Sequence, residues 1–132
     1  MKNKYTKTRT CVYNINYHIV WCVKYRKEIL TDEVAQCLID ELNTIANTKG
    51  FIIHECAVGD NNHIHVFVSA PPKLSPSYIV KMLKGISGRH LFMRYPHIAT
   101  KLYNGTIWNH IFYIETIGST SEDNIRKYIQ SQ

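Results

Sequence analysis

Apolar residues recur along the chain with two different spacings, which predict strands and helices. Four short segments have alternating or continuous apolar residues, as is typical of strands. They are residues 11–23, 51–58, 63–69 and 110–117. The turn-forming run Gly59-Asp60-Asn61-Asn62 predicts a hairpin between the second and third strands.

Three other segments have helical spacing. Thr31 is a suitable N-cap for a first helix that ends near Lys49-Gly50. Ser75-Pro76 opens a second helix, because proline is favoured in the first helical turn. Residues 118–121 lead into a last helix. The apolar stripes are Val34, Leu38, Leu42 and Ile45 in the first helix and Ile79, Leu83 and Ile86 in the second.

The predicted order is βαββαβ followed by an additional C-terminal helix. This order is typical of the α+β ferredoxin-like (RRM-like) fold, an antiparallel sheet with helices packed on one face. The chain has 132 residues, enough for one core, and no repeat or long linker divides it. We therefore predict a single domain over residues 1–132.

Composition and charge narrow the class of protein. Hydrophobic residues make up 45% of the chain, which excludes a disordered protein. No apolar run approaches the ~20 residues of a membrane span, and the basic N-terminus lacks the apolar stretch of a signal peptide. We therefore expect a cytoplasmic protein. The net charge of +6 favours a polyanionic partner such as nucleic acid.

The four cysteines have no Cys-x-x-Cys pair and are interpreted as reduced thiols. A structural zinc site built from Cys56 with nearby histidines lacks the usual paired spacing.

The most distinctive chemistry lies in the third strand, where His63 and His65 are separated by one apolar residue. Because side chains alternate across a strand, both imidazoles project from one face and can bind a metal ion. On the last helix, Tyr128 and Gln132 are four residues apart and share a face. Taken alone, that face is typical of a solvated helix.

Together the two features predict metal-assisted phosphate chemistry. The Gln132 oxygen can supply a third ligand and leave positions open for phosphate oxygens and water. Phenol is a poor nucleophile at neutral pH, since its pKa is about 10, and a nearby divalent cation favours the phenolate. Attack by Tyr128 on a phosphate would give a tyrosine–phosphate diester, which keeps the energy of the broken bond for rejoining.

These residues resemble the HUH family of single-strand nucleases, in which two histidines flank a bulky hydrophobic residue. More specifically, the chain is similar to the hairpin-recognising, single-tyrosine transposases of prokaryotic insertion sequences. The similarity extends over nearly the whole chain. The matching stretches are Tyr17 to Arg26, His63 to His65, Lys84 to Arg89, Trp108-Asn109, Thr116 to Gly118 and Lys127 to Gln132.

The resemblance implies an enzyme that cuts single-stranded DNA at insertion-sequence ends, leaving a 5′-phosphotyrosine and a free 3′-hydroxyl, and then rejoins strands. It implies recognition of DNA hairpins, a Mg²⁺ or Mn²⁺ cofactor, and nucleoid association while acting. It also implies a homodimer in which the histidines of one subunit can face the tyrosine helix of the other. By motif position, Tyr128 is the nucleophile and His63, His65 and Gln132 are the metal ligands.

Three features depart from the family pattern. Asn62 stands where an acidic residue often precedes the first histidine, so a supporting carboxylate is missing or is replaced by Asp60. Ile111-Phe112 stands where a serine–tyrosine pair is common. Gln132 is the last residue of the sequence, and whether the native chain continues past it stays open.

Basic residues of the second helix are the predicted DNA-binding residues, namely Lys81, Lys84 and Arg89, with Arg94 as a weaker candidate. Gly85 and Gly88 lie among them and permit close approach of a phosphate backbone. A solvated basic face is the alternative, and the family resemblance favours DNA.

Two other functions stay open. A domesticated relative that processes chromosomal hairpin repeats would have the same chemistry. A non-catalytic RRM-like RNA-binding module would share the fold, although the third strand carries His63 and His65 instead of an aromatic RNP signature. The hairpin, the cleavage site, the metal used in cells and the assembly of the active site within or between subunits are not predicted.

Overall fold

The fold was obtained as a computed structural model that describes residues 5–102, 105–118 and 122–131, with only the backbone described for residues 122–125. Its strands are β1 (Thr6–Lys7), β2 (Val12–Tyr13), β3 (Asn16–Val23), β4 (Ile52–Gly59), β5 (His63–Ser69) and β6 (Trp108–Thr116). Its helices are α1 (Asp32–Lys49), α2 (Pro76–Arg94), α3 (His97–Lys101) and α4 (Glu122–Gln130), with a 3-10 turn at Lys24–Arg26.

The main sheet has the strand order β4-β5-β3-β6, and all neighbouring strands are antiparallel. This order, with α1 between β3 and β4 and α2 between β5 and β6, confirms the ferredoxin-like prediction. The predicted first strand is divided in two, because β2 pairs with β1 in a separate small sheet. The break lies where the Asn16 side chain donates a hydrogen bond of 2.8 Å to the Asn14 side chain, an alternative to ladder pairing.

The two faces of the main sheet are covered differently. Ile64, Val66 and Val68 of β5 are fully buried in the large core beneath α1 and α2. Phe67 points to the opposite face and packs with Ile129 of α4 in a second, small core. The sheet is therefore sandwiched between two helical layers, and the C-terminal helix lies on the face opposite α1 and α2.

A tight turn sets the register of the β4–β5 hairpin. Asp60 and Asn61 both have positive φ angles, of 51° and 57°, and the Asn62 amide donates to the Gly59 carbonyl at 3.1 Å. Two consecutive positive φ angles define the type I′ turn that matches the twist of the strands. The turn thus positions His63 as the first residue of β5. Among the described residues, no helix is long and apolar enough to cross a bilayer.

Candidate active site

The two histidines of β5 lie on the sheet face that α4 covers. Their ring centroids are 5.0 Å apart, and His65 is only 4% exposed. The β5 residues on either side of His65, Ile64 and Val66, point into the main core, so the histidine face is determined by the same alternation that builds that core. The prediction that both imidazoles share one face is confirmed by the fold.

His63 is supported by the residue directly before it. Its Nδ1 lies 2.8 Å from Oδ1 of Asn62, so a neutral ring whose Nδ1–H donates to this amide oxygen has its lone pair on Nε2. The sequence left open whether a supporting carboxylate is missing or is replaced by Asp60. In the structure Asn62 itself makes this contact, while Asp60 occupies the turn.

His65 is supported by two residues on other strands. Nδ1 of His65 lies 3.2 Å from Nε2 of His18 on β3, and Nδ1 of His18 lies 3.3 Å from Oε1 of Glu115 on β6. Burial, with smaller contributions from the charges of His63 and His18, lowers the pKa of His65 to about 4. His65 is therefore neutral at pH 7, the form in which imidazole binds metals.

Neither His18 nor Glu115 is among the site residues predicted from the sequence. The available signal was the alternation along the first strand, which places His18 on the polar face beside the histidine strand. Recognising the contact required the pairing of β3 with both β5 and β6, in which His18 lies opposite Glu115.

The second nitrogen of His65 provides a test of whether the site suits a metal. Nε2 is buried and has no hydrogen-bond partner among the described residues, a state that costs free energy unless a ligand occupies it. A divalent cation that accepts this lone pair and that of His63 Nε2 fits the donor set. In the described part of the chain, no group of three His, Cys, Asp or Glu side chains converges on a metal site.

Helix α4 places Tyr128 beside the histidines of the same chain. Its ring stands edge-to-face to His65, with centroids 5.3 Å apart, and to His18 at 6.2 Å. Tyr128 is 51% exposed, whereas Ile129 next to it is fully buried against Phe67 and Ile117. The helix is thus held by its apolar side and presents the phenol to the edge of the site.

The predicted third ligand, Gln132, lies outside the described residues. The end of α4 nearby is anchored to β4, because Gln130 donates a hydrogen bond of 2.9 Å to the Glu55 carboxylate.

The predicted DNA-binding residues lie on α2, on the opposite side of the sheet from the histidines. Lys84 and Arg89 line a pocket of about 520 Å³ between α2 and the start of β6, together with Phe92 and Asn109. The Lys84 ammonium donates to the Asn109 carbonyl at 2.6 Å, and burial lowers its pKa. Part of the role of Lys84 is therefore to tie α2 to β6.

The other two predicted basic residues are exposed outside this pocket. Lys81 lies on the surface of α2. Arg94 lies over the Tyr95 ring at 5.9 Å and lines a separate groove that also contains Glu33 and Asp40. That acidic surrounding is unfavourable for a phosphate backbone, so Arg94 is separated from the pocket of Lys84 and Arg89.

The sequence predicted that both glycines of α2, Gly85 and Gly88, allow close approach of a phosphate backbone, and the structure supports this for only one of them. A Cβ atom on Gly88 would lie 2.9 Å from Cγ2 of Ile107 and 3.3 Å from the Trp108 ring. Gly88 is therefore required for packing of α2 against β6 and is buried there. A Cβ on Gly85 would meet nothing within 4 Å, so only Gly85 leaves the backbone open to a ligand.

Comparison with known proteins assigns the chain to a family. Residues 11–132 match the family described as IS200-like transposases. The chain belongs to the IS200-like transposase family. It is therefore a DNA-cleaving and strand-transferring enzyme, and the resemblance inferred from the sequence is confirmed.

Two relatives illustrate how far the similarity extends. The ISDra2 transposase TnpA of Deinococcus radiodurans is 40% identical over 126 residues, covering 96% of this chain and 89% of that protein. The transposase for insertion sequence element IS200 of Salmonella typhimurium is 31% identical over 123 residues, covering 91% of this chain and 78% of that protein.

Solved structures support the same fold. A protein of Deinococcus radiodurans R1 described as a transposase superposes with a TM-score of 0.79 at 34% identity, covering 96% of this chain and 97% of the other. A REP-associated tyrosine transposase bound to a REP hairpin has a TM-score of 0.64 at 15% identity, covering 94% of this chain and 69% of the other. At that identity the second similarity concerns the fold alone.

Proposed function

We propose that this transposase cuts and rejoins single-stranded DNA through a covalent bond to Tyr128. The observation that carries the proposal is the edge-to-face contact of Tyr128 with His65, whose buried Nε2 has no partner among the described residues. A nucleophile beside the neutral imidazole of His65 suits attack on a phosphate held by a divalent cation.

The residues have distinct roles in the step. The Tyr128 hydroxyl oxygen bonds to phosphorus, its proton passes to solvent, and the bond from phosphorus to the 3′-oxygen breaks. The 3′-oxygen takes up a proton and leaves as a free hydroxyl, while the 5′-phosphate stays on Tyr128. Attack by a 3′-hydroxyl on this diester rejoins strands without ATP. Bound Mg²⁺ or Mn²⁺ would neutralise charge on the phosphate, with His63, His65 and Gln132 as its ligands.

A trapping experiment tests the nucleophile. Single-stranded DNA copied from both flanks of the gene is incubated with the protein and Mn²⁺, and covalent adducts are resolved on a denaturing gel. We expect Tyr128→Phe to form no adduct. Tyr113→Phe is the matched control, since Tyr113 also stands edge-on to His18, at 6.4 Å. Its phenol donates to Glu115, which raises its pKa and disfavours the phenolate, so we expect Tyr113→Phe still to form the adduct. An adduct with Tyr128→Phe would refute the assignment.

The histidines are tested by separating cleavage from binding. His63→Ala should abolish metal-dependent cleavage while leaving binding of a DNA hairpin largely intact, because the predicted DNA-binding residues lie on α2. Loss of hairpin binding together with cleavage would show that His63 is structural.

We propose that a DNA hairpin binds the pocket between α2 and β6. Arg89 is exposed at this pocket, Gly85 leaves the backbone accessible, and the overall charge of +6 favours DNA. Arg89→Ala should weaken binding of a hairpin oligonucleotide and reduce its salt dependence by about one phosphate contact. Arg94→Ala, in its acidic groove, is the control and should change binding less.

We also propose a homodimer that covers the outer edge of β6. Ile111 is 78% exposed and Tyr113 is 55% exposed on this edge strand, and such edges are normally covered or charged. Ile111→Lys should convert the dimer into a monomer in sedimentation experiments. An unchanged mass would exclude this edge as the interface.

The two alternatives are separated by different observations. Membership of the transposase family favours DNA strand transfer over the RNA-binding module. Imperfect palindromes flanking the gene would identify a mobile element, whereas dispersed hairpin repeats elsewhere in the genome would favour a domesticated enzyme.

A further inference from the structure

Three polar side chains on three neighbouring strands form a continuous chain of hydrogen bonds across the sheet. It begins at Glu115 on β6, passes through His18 on β3 and ends at His65 on β5, with links of 3.3 Å and 3.2 Å. His18 is 5% exposed and His65 is 4% exposed, so water does not compete readily for the central link. This hydrogen-bond chain therefore joins His65, a proposed metal ligand, to the Glu115 carboxylate two strands away.

The direction of donation along this chain follows from the chemistry of its first member. An ionised carboxylate only accepts hydrogen bonds, so Nδ1 of His18 must carry the proton and donate to Glu115. In the neutral form of His18 the ring has one N–H, so its Nε2 is a lone pair that can only accept. Nδ1 of His65 must then donate to it. Nε2 of His65, the atom without a partner among the described residues, is left as a bare lone pair.

We propose that Glu115 and His18 are positioning residues that fix the Nδ1–H tautomer of His65 and keep its Nε2 available to a divalent cation. The inference rests on the proposed function for the identity of the ligand, but the tautomer itself does not depend on a metal being bound. Partners that orient metal-binding histidines in this way commonly change metal affinity 10- to 100-fold when removed.

His63 and His65 are supported by different kinds of side chain, an amide for His63 and a hydrogen-bond chain that ends on a carboxylate for His65. Asn62 contacts His63 through an amide, which can accept or donate according to its orientation. Glu115 offers only acceptors, and so it sets the direction of the His65 hydrogen-bond chain when the His18 ring is neutral. The opposite direction would require His18 to carry two protons and donate on both sides, which would place a proton on Nε2 of His65.

The first experiment measures the tautomer in the metal-free protein without DNA, from the imidazole ¹⁵N chemical shifts of His65. In the wild type we expect Nδ1 protonated and Nε2 unprotonated. His18→Leu removes the acceptor and should convert His65 to the Nε2–H form. His18→Gln should restore the wild-type tautomer, since its amide oxygen can accept from His65 while its amide nitrogen donates to Glu115. An Nε2–H tautomer in the wild type would overturn the proposal.

The second experiment titrates each protein with Mn²⁺ alone, followed by calorimetry. We expect His18→Leu to weaken binding 10- to 100-fold and His18→Gln to recover most of it. His90→Leu is the matched control, because His90 also contacts a carboxylate, that of Glu41, but between α2 and α1 on the opposite face of the sheet. Equal Mn²⁺ affinity and an unchanged His65 tautomer in folded His18→Leu would overturn the proposal.

The ¹⁵N shifts and the Mn²⁺ titration together distinguish failure of this inference from failure of the proposed function. A wild-type protein that binds no Mn²⁺ would refute the metal site, while the ¹⁵N shifts would still decide whether the chain fixes the tautomer. If His18→Leu does not fold, Glu115→Leu replaces it, since the Glu115 side chain is 41% exposed and its replacement should disturb packing less. We expect a smaller change in the same direction, because water can replace the carboxylate. No change in tautomer with Glu115→Leu would overturn its role.

Discussion

Replacing Ile129 by alanine should detach the tyrosine helix while leaving the rest of the domain folded. Ile129 is fully buried, and its partners are Phe67 and Ile117 in a core separate from the main one. Helix α4 has only nine residues, too few to persist in water without packing. Its position over the histidines therefore depends on this small cluster.

The expected magnitude follows from the contacts that remain. Truncating a fully buried isoleucine costs about 2–5 kcal/mol. Among the described residues, further anchors of α4 include the hydrogen bond from Gln130 to Glu55 and the Arg126 guanidinium over the Phe67 ring at 5.2 Å. Each contributes on the order of 1 kcal/mol at an accessible site. A loss of about 3 kcal/mol lowers the docked population roughly 100-fold relative to the undocked one, since each 1.4 kcal/mol is a factor of ten.

Hydrogen exchange measures the undocking of α4, and adduct formation measures the resulting loss of Tyr128 from the site. Amides of residues 126–131 should exchange at least tenfold faster in Ile129→Ala, while those of β3 and β5 are unchanged. The rate of adduct formation with single-stranded DNA should fall with the docked population. Leu38→Ala, in the main core, is the control: it should lower the thermal midpoint but not the adduct rate of the folded protein. Unchanged exchange in α4, or equal loss of protection throughout the sheet, would refute the reasoning.

Three further predictions concern stability and reactivity. Gly88→Ala should destabilise the fold by about 1–3 kcal/mol, because its Cβ would lie 2.9 Å from Ile107. Gly85→Ala should stabilise the fold by about 0.5–1 kcal/mol, because a Cβ there meets nothing within 4 Å. The midpoints of denaturant unfolding measure both changes. Burial raises the pKa of Cys56 to about 12, so in mass spectrometry its thiol should resist alkylation at pH 8 until the protein unfolds. The pKa of His65 is about 4 in the folded protein, below its ordinary value of 6.5. As the pH is lowered, the His65 imidazole is therefore protonated in the unfolded chain before it is protonated in the folded one. The free energy of unfolding should therefore fall between pH 6.5 and 4 in urea titrations, and His65→Phe should reduce that slope.

The fold was largely predictable because its signals are local. The turn sequence around Asp60 and Asn61 predicts a hairpin, and the structure has the positive φ angles that such residues tolerate. Ser75 was predicted to begin α2, and its hydroxyl accepts the Tyr78 amide at 3.1 Å. The division of the first strand was missed, since it depends on the side-chain contact between Asn14 and Asn16.

The candidate site was only partly predictable because some of its contacts are non-local. The pair His63 and His65 is two residues apart, and strand alternation alone places both on one face. His18 and Glu115 are 97 positions apart in the sequence, and only the β3–β6 register brings them together. Gly88 was misinterpreted for the same reason, because its close neighbour Ile107 lies in a distant segment.

The alternation of β5 makes the site and the main core depend on one another. Ile64 and Val66 fill the core beneath α1 and α2 only in the register that directs His63 and His65 to the α4 side. A slip of one residue would place both imidazoles in the apolar core and expose two aliphatic side chains, at a cost of several kcal/mol. The burial that stabilises the sheet therefore also excludes the alternative in which the histidines are misdirected. The position of the proposed metal ligands is thus held by the whole sheet, whereas the position of Tyr128 is held by one short helix and the small cluster beneath it.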